Sequence, residues 1–161
     1  MATSFTSAGI VWDATNSPAQ ASGTGSSNTL DDYEEGTFDP HVEFGGSAAG
    51  DSYRYGNYRK IGAVVICHLT ITTVAKASLS GGATISPLPF TCSSGGEYSA
   101  CPVRWAGITT TTQISILITN TWAYLSLQAL NTAGYYEAIT DSHFGSTAHI
   151  YGCTATYSVG T

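Results

Sequence analysis

Apolar and polar positions alternate over most of the chain beyond residue 53. In Val64 to Thr73 the odd positions Val65, Cys67, Leu69 and Ile71 are apolar, and His68, Thr70 and Thr72 stand between them. A period of two puts successive side chains on opposite faces of a strand, so this run predicts a half-buried strand with one core face. Ile114, Ile116 and Ile118 alternate with Ser115 and Thr119, broken by Leu117, and Leu125 and Leu127 stand between Tyr124, Ser126 and Gln128. Thr119-Asn120-Thr121 joins these two runs and predicts a hairpin turn. The last run sets Tyr151, Cys153, Ala155, Tyr157 and Val159 on one face, opposite Gly152, Thr154, Thr156 and Ser158, and predicts a strand that closes the sheet. Turn residues recur at short spacing: Gly45-Gly46, Gly81-Gly82, Pro87, Pro89, Gly95-Gly96, Pro102, Gly107 and Gly134. The expected fold is therefore all-β, an antiparallel β-sandwich of jelly-roll-like kind.

Composition supports strands and removes several classes of function. Charged residues are only 10% of the chain, against a usual figure of about 25%. Ser and Thr together fill about a quarter, so polarity comes from hydroxyls. Helix formers are scarce, whereas Thr, Tyr, Val and Ile fit a pleated sheet. The net charge is -6 and no basic stripe is present that could neutralise a phosphate backbone, so nucleic acid is not an expected partner. No apolar run approaches the roughly 20 residues of a membrane span. Met1 to Phe5 lack the basic start and apolar centre of a signal peptide, so the chain is expected to be made in the cytoplasm.

Charge also divides the chain. Eight of the eleven acids lie at Asp13, Asp31, Asp32, Glu34, Glu35, Asp39, Glu43 and Asp51, and the first basic residue is Arg54. Residues 13–29 are small and polar, with too little apolar area to offset the entropy of ordering. The expected organisation is an extended N-terminal arm at 1–30, an acidic connector at 31–52 and a β-sandwich domain at 53–161. Thirty extended residues reach on the order of 100 Å. Ile10-Val11-Trp12 is a compact apolar patch within the arm, and reads either as an anchor or as a segment that folds back onto its own domain.

Little chemistry is signalled. Cys67, Cys92, Cys101 and Cys153 have no metal-ligand spacing and read as free thiols, with a Cys92–Cys101 pair across a hairpin as the alternative. His41, His68, His143 and His149 fall on four different segments, so neither a metal nor a cofactor is expected. No Gly-x-Ser-x-Gly elbow positions a nucleophile. The acidic run Asp31 to Asp39 lacks the alternate spacing of a calcium loop and reads as a solvated connector whose Leu30, Tyr33 and Phe38 pack.

Three motifs carry a resemblance. Asn28-Thr29-Leu30-Asp31-Asp32-Tyr33-Glu34-Glu35-Gly36-Thr37-Phe38-Asp39-Pro40 resembles an element at the start of C-terminal domains in many tailed-bacteriophage tail-fibre and related virion proteins. Gly56-Asn57-Tyr58-Arg59-Lys60-Ile61-Gly62, followed by Val64-Val65, is similar to the family's Gly-x-Tyr-x-Lys-Ile-Gly-x-x-Val stretch. Ile85-Ser86-Pro87-Leu88-Pro89-Phe90-Thr91 is similar to its Ile-Ser-Gly-Leu-Pro-Phe turn, with Pro87 where the family usually has Gly. Together they cover residues 28–91. In the family such a domain ends a long fibre, whereas about 30 residues precede it here.

The resemblance implies a homotrimer and a place in the virion. The expected function is a short trimeric tail fibre, not an enzyme. It would be held to another virion protein of tail, baseplate or capsid through residues 1–30, with Ile10, Val11 and Trp12 as the attachment patch. Its C-terminal domain would contact host-surface glycans, three copies turning weak contacts into avidity. Exposed aromatic rings beside polar groups suit sugars, which nominates Tyr135, Tyr136 and Asp141 in the loop Asn131 to Ser146; the alternative is that these tyrosines are core or trimer contacts. Two other functions compete: a capsid decoration protein without a receptor, and a small glycan depolymerase, for which only Glu97, Glu137 and Asp141 remain as acids after residue 51.

Overall fold

Strands form where the period-two patterns lie. The computed structural model describes residues 4–6, 9–11, 29–30, 33–94, 98–110 and 113–160, and among these it contains strands, one single-turn 3-10 helix at Asp141–His143, and no α-helix. In chain order the strands are β1 (Ser4–Thr6), β2 (Gly9–Val11), β3 (Thr29–Leu30), β4 (Tyr33–Phe38), β5 (His41–Phe44), β6 (Ser47–Ala48), β7 (Tyr53–Ile61) and β8 (Val64–Val74). They continue as β9 (Ala83–Ser86), β10 (Tyr98–Pro102), β11 (Arg104–Ile108), β12 (Ile114–Thr119), β13 (Leu125–Leu130), β14 (Tyr136–Ala138) and β15 (Phe144–Ser158).

Two antiparallel sheets share one core. The first has the order β4-β7-β8-β15-β11; the second runs β10-β12-β13-β9-β5-β6, with β14 also paired to β13. On β8 the residues Val65, Cys67, Leu69 and Ile71 are at most 2% exposed, while His68 faces solvent. Ile114, Ile116 and Ile118 on β12 and Leu125 and Leu127 on β13 fill the facing layer. The hairpin between β12 and β13 has Ile116 opposite Leu127. Each such side chain contributes about 1.5–3 kcal/mol on leaving water. Phe44 of β5 meets Phe144 at the start of β15 edge-on, with ring centres 4.8 Å apart, so an aromatic pair links the two sheets through the core.

The last strand departs from the expected alternation at one residue. Cys153, Ala155, Tyr157 and Val159 are buried as expected, but Tyr151 is only partly covered, and Ile150 and Ala148 take the core face instead. Gly152, at φ 53°, creates a bulge between Ile150 and Cys153, and one extra residue reverses the parity of everything before it. A second bulge on β8 at Thr73, φ 56°, restores the register, so that Ala148 pairs with Val74. The Thr73 N–H, turned out of the ladder, donates to His149 Nδ1 at 3.1 Å.

The segment 31–52, which the charge distribution assigns to a connector, carries β4, β5 and β6, strands of the two sheets. Val42 and Phe44 are each 1% exposed, and Phe38 packs against the core. The acids of this segment alternate with these side chains, because an edge or half-buried strand leaves every second residue in water. A count of charges cannot tell such a strand from a loop. Where residues 1–30 are described they pair as a small three-stranded sheet, β1-β2-β3, with Phe5 opposite Ile10 and Ile10 opposite Leu30. Ile10 and Val11 therefore lie on its middle strand, and Trp12 lies outside the described residues.

Candidate functional site

The three motifs converge on one packing contact. Across the β4–β7 pair, Gly36 stands opposite Tyr58, and Gly56 opposite Phe38. A Cβ added at Gly36 would lie 2.8 Å from Tyr58 Oη, and one at Gly56 would lie 2.5 Å from the Phe38 ring, so each ring rests on the opposing glycine. Phe90, from the third motif, meets Tyr58 edge-on with ring centres 5.2 Å apart, and Lys60 Nζ lies 5.8 Å from the centre of the Phe90 ring. The Tyr157 hydroxyl donates to the Phe90 carbonyl at 3.0 Å, which fixes this turn against β15. The motif glycines and aromatics are thus accounted for by packing that locks the edge of the first sheet to the segment after β9.

The same pairing builds a recognisable surface on the other side of the strands. With Gly56, Tyr58 and Lys60 turned inward, Tyr53, Tyr55, Asn57, Arg59 and Ile61 face outward on β7, beside Tyr33, Glu35 and Thr37 on β4. Tyr33, Tyr53, Tyr55, Ile61 and Val64 are each more than 40% exposed. Over this strand pair lies a shallow cleft of about 380 Å³ lined by Glu35, Gly36, Thr37, Tyr55, Asn57, Tyr58 and Arg59. Thr37 is directly opposite Asn57, and Glu35 opposite Arg59, with Arg59 Nε 4.0 Å from Glu35 Oε2. The Tyr33 hydroxyl donates to Glu35 Oε2 at 2.7 Å, and this bond to a carboxylate raises the Tyr33 pKa above its ordinary value. Tyr58 is raised in the same way by donating to Glu34 Oε1 at 2.7 Å.

The residues nominated from sequence sit elsewhere. Tyr135, in the turn before β14, and Tyr136, its first residue, are 72% and 63% exposed, so they are not core. Asn131 Oδ1 holds that turn by accepting the N–H groups of Ala133, at 3.0 Å, and Tyr135, at 2.9 Å. Asp141 Oδ1 accepts the Gly81 N–H at 2.9 Å, so its carboxylate pins a neighbouring turn. A second, smaller cleft of about 180 Å³ near this loop is lined by Thr109, Thr110, Ala129, Glu137 and His143. The cleft on β4 and β7 is absent from the sequence reading, although Tyr53, Tyr55, Asn57 and Arg59 are spaced by two. That spacing was the available signal; which residues of the acidic segment lie opposite them was not.

Charge and histidines serve the fold. Arg54 donates from Nε to Asp39 Oδ1 and from Nη1 to Asp51 Oδ1 at 3.1 Å, tying the passage between sheets to β7. The Asp51 side chain is only 3% exposed; its Oδ2 lies 3.8 Å from His41 Nδ1 and has no hydrogen-bond partner among the described residues. The hydrogen bond from Arg54 holds the Asp39 pKa below its ordinary 3.8. A carboxylate depressed in the folded state contributes stability above its unfolded pKa, and that contribution is lost as pH falls through the folded value. Asp39→Asn should therefore lower the melting temperature at neutral pH and narrow its gap to the wild type as pH falls below about 4; melts from about pH 6 to about pH 2 check this, and a constant gap would contradict it. His68 Nδ1 is 2.9 Å from Thr154 Oγ1, and His143 Nδ1 accepts the Thr140 N–H at 3.1 Å. Among the described residues no three His, Cys, Asp or Glu side chains are grouped to hold a metal.

No disulfide joins the cysteines among the described residues, and Cys67, Cys92 and Cys153 are buried. Burial pushes the Cys67 and Cys153 pKa up to about 12, which removes the reactive thiolate at neutral pH. Alkylation of the native protein at about pH 8, read by peptide mass, should spare Cys67 and Cys153 and modify both after unfolding. Rapid native labelling of either would contradict the packed arrangement of β8 and β15.

No protein-family model, curated protein or solved structure matches the chain.

Proposed function

We propose that this chain is a structural component of a bacteriophage virion, a short trimeric tail fibre with a jelly-roll-like β-sandwich domain. In this reading residues 1–30 are the arm that attaches it to another virion protein, with Ile10, Val11 and Trp12 as the anchor, and the C-terminal β domain contacts host-surface glycan. The observation that supports it most is the meeting of all three motif segments in one contact, Gly36 with Tyr58, Gly56 with Phe38, and Phe90 on Tyr58. Motifs that act as one packing unit are what a shared domain needs, whereas three accidental matches have no reason to touch. The exposed tyrosines and aliphatics of the β4–β7–β8 face add a surface suited to contact with a partner or a glycan.

A label at the C-terminus, imaged on intact particles, tests the reading. Label at the tail or baseplate is the expected result, and deletion of residues 1–30 should then leave soluble oligomers that no longer join particles. A regular array over the head would replace it with a capsid decoration protein. Absence from particles would overturn both.

A further inference from the structure

The geometry points to the cleft over the β4–β7 pair as a binding site for an uncharged saccharide of about two pyranose units. The inference rests on the fibre reading for its ligand class, and adds the site, its size and its charge preference. Its volume, about 380 Å³, falls in the range of about 300–1,000 Å³ occupied by small-ligand sites. Tyr55, Asn57 and Arg59 are successive outward residues of β7, so the cleft runs about 13 Å along the strand, the length of a disaccharide.

The lining suits that ligand. A pyranose offers an apolar C–H face and a rim of hydroxyls. Tyr55, 45% exposed, provides a ring for the first, and the Asn57 carboxamide and Thr37 hydroxyl provide donors and acceptors for the second. Within the described residues the side chains of Thr37, Tyr55 and Asn57 make no hydrogen bond, so their capacity is unspent. Charge decides the subclass. Glu35 and Arg59 face each other and Glu35 also takes the Tyr33 hydroxyl, so the cleft is balanced internally, while the chain as a whole carries -6. An anionic sugar would meet the Glu35 carboxylate and that overall field, while Arg59, the cation lining the cleft, already faces Glu35. The site is also preorganised, because the Gly36–Tyr58 and Gly56–Phe38 pairs fix the register of the two strands that form it.

Titration calorimetry of the full chain with cellobiose, lactose, maltose and mannobiose, and with sialyllactose as the anionic counterpart, tests this. At least one neutral sugar should bind saturably in the millimolar range. Tyr55→Ala and Asn57→Ala should each weaken it by about tenfold with unchanged melting temperature, and sialyllactose should bind more weakly. Four results overturn the site: no saturable binding of any neutral sugar, sialyllactose binding as tightly, full affinity in both variants, or loss of affinity that accompanies a change in oligomeric state. Loss confined to Tyr135→Ala or Tyr136→Ala would move the site to that loop and leave the fibre reading standing. Particle imaging fails or succeeds independently of these titrations.

Discussion

Gly107→Ala should cost on the order of 4 kcal/mol and be among the most damaging single substitutions in the chain. Gly107 lies on β11 at a bulge, where the register passes from Ala106 opposite His149 to Ile108 opposite Phe144. Its φ of 69° alone costs a side-chain-bearing residue about 1–2 kcal/mol. The larger part comes from contact, since an added Cβ would stand 1.9 Å from the Thr147 carbonyl oxygen and 3.1 Å from Ala148 Cα. These are backbone atoms, and no side chain can swing away to relieve them. Either β11 or β15 must move, which disturbs Ile108, Phe144 and Ala148, all buried. Gly134→Ala separates the two causes: φ is 84° there and nothing lies within 4 Å, so only about 1 kcal/mol should be lost. Denaturant unfolding of the two variants provides the comparison. Equal midpoints would mean that the close approach to Thr147 does not govern the site.

Phe44→Ala should cost about 3–5 kcal/mol, because the side chain is 1% exposed and its loss leaves a cavity between the sheets. Phe44→Leu keeps most of the volume and should cost clearly less. Part of the loss belongs to the edge-on pair with Phe144, whose rings are 4.8 Å apart at 86°. A double-mutant cycle with Phe144→Leu should give a coupling of about 0.5–1.5 kcal/mol. A cost below about 1 kcal/mol for Phe44→Ala would mean that this pair does not join the sheets as described.

Both predictions fall on residues whose role the linear pattern does not disclose. Gly107 reads as one turn residue among several, and the approach of Thr147 exists only once β11 lies beside β15. Phe44 lies in a segment that reads as an acidic connector, since Glu43 and Asp39 dominate its surroundings in the chain. The candidate cleft was hidden for the same reason. Thr37 and Asn57 are twenty residues apart, and only the β4–β7 register sets them face to face.

Local alternation was sufficient for the strands that bury one face against a single core. Val65 to Ile71, Ile114 to Ile118 and Leu125 to Leu127 could be assigned to the core from their spacing, because a pleated backbone allows no other outcome for a period of two. Even the exception on β15 has a local cause, the left-handed Gly152, although its presence as a bulge depends on a matching bulge at Thr73 in the neighbouring strand. Which strands pair, in what order and in what register is a different kind of information. It is set by contacts between residues distant in the chain, such as Tyr58 lying on Gly36 and supporting Phe90. Hydrophobic spacing indicates which side of a strand faces inward; only the assembled sheets show which residues share its outer face.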